Sequence, residues 1–412
     1  MFRRHLQRHL TQGETMRKLL LCALLLAAAC VPDLSQGPPA TGFAPILRDA
    51  PTGTPVAWVE SETAITLENA DRLARLGRLD APEAPSTVFA YAFSPDGARL
   101  AGLNNTHLMA WNLLSGERVF YTDRADALNV YYAPDKDEIY TLDADGTLRI
   151  YNADTGALKE EINGHPLFDG AAAYDAENGL LALGASNGEI KVWDAAARQA
   201  LATIKAHGAP VVALAFAPDG ELLASGGQDG RVTVWDWRNR ERAADLETLA
   251  GRLVFSPDAV QLAAATTAQV ELWGWKAGAR KRILQTGVGG AADVLKYAPD
   301  GSYLISGGRA PSASLWNPQT GDLVVSLPGV GGDTTSADFS PDGGLLVTAV
   351  LGQPVSLWNL AQVSADTLAR ANLETGAQVF EAAWTPDGFL LALFETAGPV
   401  QIWGIPPKES GG

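Results

Sequence analysis

The sequence predicts an all-β fold, a β-propeller of four-stranded antiparallel blades. The first observation is a repeat, because eight aromatic residues that each close a short apolar stretch recur 38 to 45 residues apart. These residues are Trp111, Tyr151, Trp193, Trp235, Trp273, Trp316, Trp358 and Trp403. The second is a turn motif upstream of each aromatic residue. Four short strands in each repeat cannot bury both faces of a sheet alone, so we expect the sheets to stack radially.

The turn motif is Pro-Asp, usually followed by Gly, and it is present in seven of the eight repeats. The seven copies are Ser94–Gly97, Ala133–Lys136, Ala217–Gly220, Ser256–Ala259, Ala298–Gly301, Ser340–Gly343 and Thr385–Gly388. The third repeat has Asp175–Gly179 instead. Proline fixes φ, aspartate caps the turn and glycine accepts positive φ, so each copy marks a reversal between two strands.

Each repeat therefore contains four predicted strands. In the fourth repeat they are Val211–Phe216, Glu221–Ser225, Arg231–Trp235 and Arg242–Leu249. The first two flank the Pro-Asp turn, the third alternates and ends in the aromatic residue, and the last is more polar. This order predicts an up-and-down sheet within every blade.

The pairs Trp193-Asp194 and Trp235-Asp236 resemble the signature of the WD-repeat family, and the resemblance extends from about Ala64 to Pro406. It implies a hydrogen-bonded structural tetrad, which the fourth repeat matches throughout with His207, Ser225, Asp229 and Trp235. It also implies that residues in the turn before each third strand face a partner. The candidates for that contact are Asn104, Gln228, Arg309 and Thr396, with Glu395 adjacent.

Other repeats depart from the tetrad. The third keeps His165 and Trp193 but has Leu183 and Asn187 at the other two positions. The last four have Thr267, Ala310, Gly352 and Ala397 where the aspartate would fall. We expect these blades to depend on apolar packing instead.

The chain ends decide the number of blades. The eighth repeat stops at Trp403–Pro407 without a fourth strand, and Ile65–Leu76 resembles the tail of a repeat with no Pro-Asp turn before it. In the family, the N-terminal strand closes the ring by pairing into the last blade, which removes an exposed sheet edge. We predict eight blades, and seven with one repeat outside the ring is the alternative.

The N-terminal region predicts export. Arg17 and Lys18 precede the apolar run Leu19–Ala29, which is too short to span a bilayer but suits a signal peptide. The run leads into Leu26–Cys30, which resembles a bacterial lipobox, although Ala27 stands where leucine is commoner. We expect Cys30 to receive lipid and Met16 to be the true start. An ordinary secretory signal with an incidental cysteine is the alternative.

The predicted organisation is a leader over residues 1–29, a lipidated Cys30 with a Pro-rich tether to residue 56, a propeller over 57–406 and a tail over 407–412. The net charge of −16 becomes −20 once the leader is removed. Such an acidic chain repels phosphate backbones, which disfavours nucleic acid as a partner. The one cysteine left, Cys30, cannot form an internal disulfide.

The sequence gives little support for catalysis. Only His107, His165 and His207 follow the leader, so a Cys/His metal cluster is not expected, and no Gly-x-Ser-x-Gly or HExxH motif is present. We predict no catalytic residues, cofactor or metal. Gly226–Gly230 is interpreted as a tight turn rather than a phosphate loop.

The predicted function is a monomeric, membrane-tethered scaffold that binds an unknown protein on the extracytoplasmic side of a bacterial envelope, facing the periplasm or the cell exterior. One alternative is a propeller hydrolase or lactonase with Ca²⁺ held by inner-strand carboxylates. Inner strands such as Val211–Phe216 and Leu253–Phe255 lack carboxylates, which disfavours it. The other alternative is an envelope-assembly lipoprotein.

Overall fold

Eight four-stranded antiparallel sheets account for all the strands of the described chain. The computed structural model describes residues 61–79, 87–123, 126–267, 269–284, 292–308, 313–327, 333–362 and 370–407. The predicted leader, Cys30 and the tether lie outside these residues, as does the tail beyond Pro407. Three short 3₁₀ segments, Ala70–Arg72, Trp275–Ala277 and Leu360–Gln362, are its helical elements.

In chain order, the strands are β1 (Ala74–Leu79), β2 (Ala90–Phe93), β3 (Arg99–Leu103), β4 (His107–Asn112), β5 (Arg118–Asp123), β6 (Ala127–Tyr132), β7 (Glu138–Asp143), β8 (Thr147–Asn152), β9 (Leu158–Asn163), β10 (Phe168–Asp175), β11 (Leu180–Ala185), β12 (Glu189–Asp194), β13 (Gln199–Lys205), β14 (Val211–Phe216), β15 (Leu222–Gly227), β16 (Val232–Asp236), β17 (Glu241–Leu246), β18 (Arg252–Phe255), β19 (Leu262–Ala265), β20 (Val270–Gly274), β21 (Ala279–Leu284), β22 (Ala292–Tyr297), β23 (Leu304–Gly308), β24 (Ala313–Trp316), β25 (Leu323–Leu327), β26 (Thr334–Phe339), β27 (Leu345–Val350), β28 (Val355–Asn359), β29 (Arg370–Leu373), β30 (Val379–Trp384), β31 (Leu390–Glu395) and β32 (Val400–Gly404).

The strands form blades in sequence order. Blades 1 to 7 consist of β2–β5, β6–β9, β10–β13, β14–β17, β18–β21, β22–β25 and β26–β29, and blade 8 consists of β30, β31, β32 and β1. The first strands of successive blades contact one another along the inner edge of the ring. The prediction of eight blades is confirmed, and the seven-blade alternative is wrong.

The ring is closed by the N-terminal strand, as predicted. β1 pairs antiparallel with β32, from Ala74 opposite Gly404 to Leu79 opposite Val400. The approach to β1 is also anchored, because the Ile65 amide donates to the Gly388 carbonyl over 2.8 Å. Without β1, the last strand of blade 8 would be an unpaired edge.

The apolar core is divided into clusters that lie between adjacent blades. Between blades 3 and 4, Val192 packs in one cluster with Leu223 and Trp235. Between blades 8 and 1, Phe394 packs in one cluster with Leu76 and Trp111. Each sheet therefore buries its two faces against its two neighbours, which is the reason why a single blade cannot fold alone.

The alternating strand directions give the ring two faces. The lower face carries the Pro-Asp turns and the turns between third and fourth strands. The upper face carries the beginnings of the first strands and the turns between second and third strands. On the lower face, glycines such as Gly97 and Gly388 have φ of 70° and 73°, as the turn motif predicts.

Candidate functional site

The predicted tetrad of blade 4 comes together at the upper face. Nε2 of His207 lies 2.8 Å from Oγ of Ser225, and the indole nitrogen of Trp235 donates to the same oxygen over 2.9 Å. Nδ1 of His207 lies 3.1 Å from a carboxylate oxygen of Asp229. The Asp229 carboxylate also accepts from the amide of Gly208 over 3.0 Å. All four side chains are thus linked in one network.

Burial sets the protonation of this network. It lowers the pKa of His207 and outweighs the charge of Asp229, so the ring is neutral at pH 7. A neutral ring that donates from Nδ1 to Asp229 accepts at Nε2, and the Ser225 hydroxyl then donates to it. Burial alone would raise the pKa of Asp229, but the Gly208 amide and the His207 ring outweigh it and hold this pKa below its ordinary value of 3.8.

The tetrad has the order of contacts of a Ser-His-Asp triad, but it lacks access for a substrate. Ser225 is 0% exposed, and Oγ also receives the indole N–H of Trp235. A nucleophilic serine must reach a bound substrate. The geometry therefore favours a structural role for these residues.

Polar anchors for the tryptophan recur in blades where apolar packing alone was expected, and that expectation is wrong. Trp316 of blade 6 donates to Ser306 over 2.8 Å, and Trp358 of blade 7 donates to Thr348 over 2.9 Å. These hydroxyls occupy the second-strand position that Ser225 has in blade 4. The tetrad pattern requires the turn aspartate, so it could not predict these two hydroxyl acceptors.

Blades 5 and 8 anchor the tryptophan from its own strand. Trp273 donates to Glu271 over 3.1 Å, and Trp403 donates to Gln401 over 3.1 Å. Residues two apart on a strand face the same side, so both acceptors are within reach of the indole. In blade 3, where Leu183 replaces the serine, the indole nitrogen of Trp193 is buried and has no hydrogen-bond partner among the described residues.

The candidate contact residues differ in their exposure to solvent. Gln228 is exposed and Thr396 is partly exposed on the upper face, whereas Asn104 and Glu395 are buried. Asn104 caps its own turn by accepting from the His107 amide over 2.7 Å, and Glu395 accepts from Gln401 over 2.8 Å. Arg309 lies outside the described residues. The two buried side chains serve the fold, which leaves Gln228 and Thr396 as candidates.

The upper face also exposes large apolar side chains. Leu128 is the second residue of the first strand of blade 2, and Leu167 precedes the first strand of blade 3. Both are more than 40% exposed, at 42% and 47%. They share this face with Gln228 of blade 4.

A second polar cluster lies on the first strands of blades 6, 7, 8 and 1. Lys296 Nζ lies 2.5 Å from the Asp338 carboxylate, which also accepts from the Trp384 amide over 2.9 Å. Glu381 accepts from Ser336 over 2.8 Å and from Tyr91 over 3.2 Å. The inner strands β14 and β18 lack carboxylates, as the sequence indicates, but β26 and β30 carry Asp338 and Glu381. The expectation that inner strands carry almost no carboxylates is therefore wrong for these two strands.

The environment shifts the titration of this cluster. Burial raises the pKa of Glu381, and the two hydroxyl donors offset only part of that effect. Burial would lower the pKa of Lys296, but the charge of Asp338 outweighs it and raises this pKa. Half of the Lys296 side-chain surface, 51%, is nevertheless accessible. The cluster is therefore reached by solvent along the inner edge.

Two further findings concern the described part of the chain. It contains no helix of the length and apolar character that crossing a bilayer requires. Within it, no three His, Cys, Asp or Glu side chains are grouped so that they could hold a metal ion.

Comparison with known proteins identifies one repeat and the fold. Residues 198–236 match the family model described as WD domain, G-beta repeat. Among solved structures, the chain is similar to the computationally designed Ika8 protein, with a TM-score of 0.66, 21% identity, and coverage of 81% of this chain and 100% of that one. It is also similar to the C-terminal WD40 domain of Sif2, with a TM-score of 0.65, 15% identity, and coverage of 81% and 99%. A search of curated proteins finds no significant match. At these identities the structural likeness establishes the fold alone.

Proposed function

We propose that this chain is a protein-interaction scaffold and that its upper face binds the partner. The observation that supports the proposal most is the exposure of Leu128 and Leu167 in adjacent blades of one face. Exposed apolar side chains grouped on a face are typical of interaction sites, whereas isolated ones are ordinary. The match of residues 198–236 to a WD repeat supports the same function.

The lower face also exposes leucines in adjacent blades, Leu114 and Leu158, but several of its charged side chains pair with one another. Lys136 of blade 2 reaches Asp96 of blade 1 at 2.5 Å, and Arg99 of blade 1 reaches Asp154 of blade 2 at 2.6 Å. Arg238 pairs with Glu221 at 3.0 Å. The first two pairs join blades 1 and 2, and the third lies within blade 4. All three leave fewer unpaired charges for a partner.

A capture experiment with paired variants tests the choice of face. The full chain, anchored in intact cells and crosslinked, is compared with Leu128→Ser/Leu167→Ser and with the lower-face control Val260→Ser/Phe389→Ser. The control residues are similarly exposed, at 45% and 39%. We expect the upper-face variant alone to lose the captured protein. Equal capture by both variants would contradict the assignment.

We further propose that the scaffold is tethered to a bacterial membrane through lipid on Cys30 and faces the periplasm or the cell exterior. The Leu19–Ala29 run and the small residues before Cys30 support this. Two acyl signals on one cysteine suffice for stable anchoring. Labelling of the wild type with a clickable palmitate, lost in Cys30→Ala, would support it. Label retained by that variant would rule it out.

A hydrolase is the second candidate, because Asp338 and Glu381 lie on adjacent first strands. Three observations weaken it: Asp338 is paired with Lys296, Glu381 is held by two hydroxyls, and no third carboxylate joins them among the described groups. A Ca²⁺ titration of the melting temperature decides the point. A rise that Asp338→Asn abolishes would favour the hydrolase, and an unchanged melting temperature favours the scaffold. An envelope-assembly role would be distinguished by the identity of the captured partner.

A further inference from the structure

A cleft of about 540 Å³ opens on the upper face of blade 4, beside the tetrad. Its lining comes from two places in the chain. The end of β13 and the connection to blade 4 supply Lys205 and His207. The turn before β16 supplies Asp229 and Arg231, and the outer strand β17 supplies Arg242.

The cleft carries an excess of positive charge. Lys205 and Arg231 are exposed, and neither side chain forms an ion pair or hydrogen bond with a residue in the part of the chain that the structure describes. Arg242 lies 3.3 Å from Asp245 and 5.3 Å from the centre of the Trp235 ring. Lys205 and Arg231 are therefore the two cations that a ligand could engage without displacing an existing partner.

The acidic group in the lining, Asp229, keeps its negative charge, but the three cations of the lining outnumber it. The carboxylate of Asp229 is held by the His207 ring, and it also accepts from the Gly208 amide over 3.0 Å. The Arg231 amide reaches it as well, over 3.3 Å, so the backbone and the tetrad occupy both oxygens. The His207 ring itself is uncharged at pH 7, because burial lowers its pKa.

A positive cleft in a chain of net charge −16 selects for a short anion. An extended polyanion would meet the repulsion of the whole molecule, whereas one or two carboxylates can enter the cleft and meet the local cations. Arginine binds carboxylates through paired N–H donors, and lysine adds a point charge. The exposed Leu167 lies on the same face as the cleft.

We propose that this cleft, defined by Lys205, Arg231 and Arg242, binds aspartate or glutamate side chains of an acidic segment in the protein partner. The inference rests on the proposed function and specifies the chemistry of the partner. The network of His207 and Asp229 fixes the backbone on both sides of the cleft, so the two free cations are presented by an ordered frame.

Fluorescence anisotropy with a labelled decaglutamate peptide tests the proposal on the full chain. The wild type is compared with Lys205→Glu/Arg231→Glu and with the control Arg240→Glu/Lys276→Glu, which changes the net charge equally at exposed lower-face positions. We expect the cleft variant to weaken binding by about tenfold or more, because it places like charges against the peptide, and the control to weaken it far less. A decaglutamine peptide should not bind.

Other outcomes overturn the proposal. Equal weakening by both double variants would mean that net charge, not the cleft, attracts the peptide. Competition by inorganic phosphate at lower concentration than by glutarate would assign the cleft to phosphate, and binding of phosphatidylglycerol vesicles that the cleft variant alone abolishes would assign it to lipid. Loss of peptide binding with unchanged capture of the cellular partner would refute this cleft and leave the scaffold intact.

Discussion

The indole nitrogen of Trp235 and the hydroxyl of Ser225 lie 2.9 Å apart, and both are buried between blades. Through the same hydroxyl, His207 is joined to the pair, so the connection from blade 3 is attached to the interior of blade 4. In three other blades the tryptophan indole donates to a different type of residue: Glu271 in blade 5, Thr348 in blade 7 and Gln401 in blade 8. The hydrogen bond to the indole is therefore kept while the accepting residue changes.

Ser225→Ala should lower the free energy of unfolding by about 1 to 3 kcal/mol, because the Trp235 indole nitrogen and Nε2 of His207 both lose their hydrogen-bond partner in a buried site. Urea denaturation measures the loss. Asp229→Ala should fall in the same range. Fluorophosphonate labelling of Ser225 that His207→Ala abolishes would contradict the structural role and support a nucleophilic serine.

Ring closure should depend on the buried leucines of the N-terminal segment. Leu73→Ala and Leu76→Ala should each lower the free energy of unfolding by about 2 to 5 kcal/mol, because both side chains are fully buried against blade 8. Leu201→Ala, on the exposed side of β13, is the control and should cost far less. Equal melting temperatures for Leu76→Ala and the control would mean that the closing strand adds little.

Alanine substitution of two glycines with nearly the same φ distinguishes the cost of backbone strain from the cost of a steric clash. Gly188 and Gly230 have φ of 80° and 83°. A Cβ on Gly188 would clash with the carbonyl oxygen of His207, whereas a Cβ on Gly230 would meet nothing within 4 Å. Gly230→Ala should cost about 1 to 2 kcal/mol from the left-handed backbone alone. Gly188→Ala should cost more and shift the connection that carries His207. Equal losses for the two variants would show that the clash relaxes.

The stability of the ring should depend on pH through Glu381. Its pKa is raised in the folded chain above the ordinary 4.5, mainly by burial, so the folded state holds this proton more tightly than the unfolded state. The resulting stabilisation is complete below about pH 4.5 and is lost as the pH rises through the folded pKa. Groups facing Glu381 are Ser336, Tyr91, Lys296 and Asp338.

Glu381→Gln removes this titration, so the variant should gain stability relative to the wild type as the pH rises above about 4.5. Thermal melts from pH 4 to pH 8 measure the difference. A difference that stays constant with pH, or that grows in favour of the wild type, would contradict the raised pKa.

Much of the fold could be predicted from the sequence because its repeat is explicit. The aromatic residues mark every blade and the Pro-Asp turns mark seven of the eight. The resemblance of Ile65–Leu76 to the tail of a repeat, with the closure known in the WD-repeat family, predicts that this segment completes the last blade. Local turn chemistry and the period of the strands are both encoded within each repeat, so blades 1 to 7 could be predicted without long-range information.

The sites were less predictable, because they depend on contacts between repeats. Asn104 fits the position of a partner-facing residue, yet its side chain caps its own turn. The pair Lys296–Asp338 joins residues 42 positions apart and cannot be inferred from either strand alone. The acceptors Glu271 and Gln401 lie outside the family pattern, so only the structure relates them to their tryptophans.

Site-specific photocrosslinking can show whether the upper face binds a protein partner. Benzoylphenylalanine is placed at Leu128 or, as the lower-face control, at Val260, which have exposed fractions of 42% and 45%. Cells that produce the full chain are irradiated, and adducts are identified by mass spectrometry. We expect one specific protein adduct from Leu128 and none from Val260. The same adduct from both positions, or an adduct from Val260 alone, would contradict this expectation.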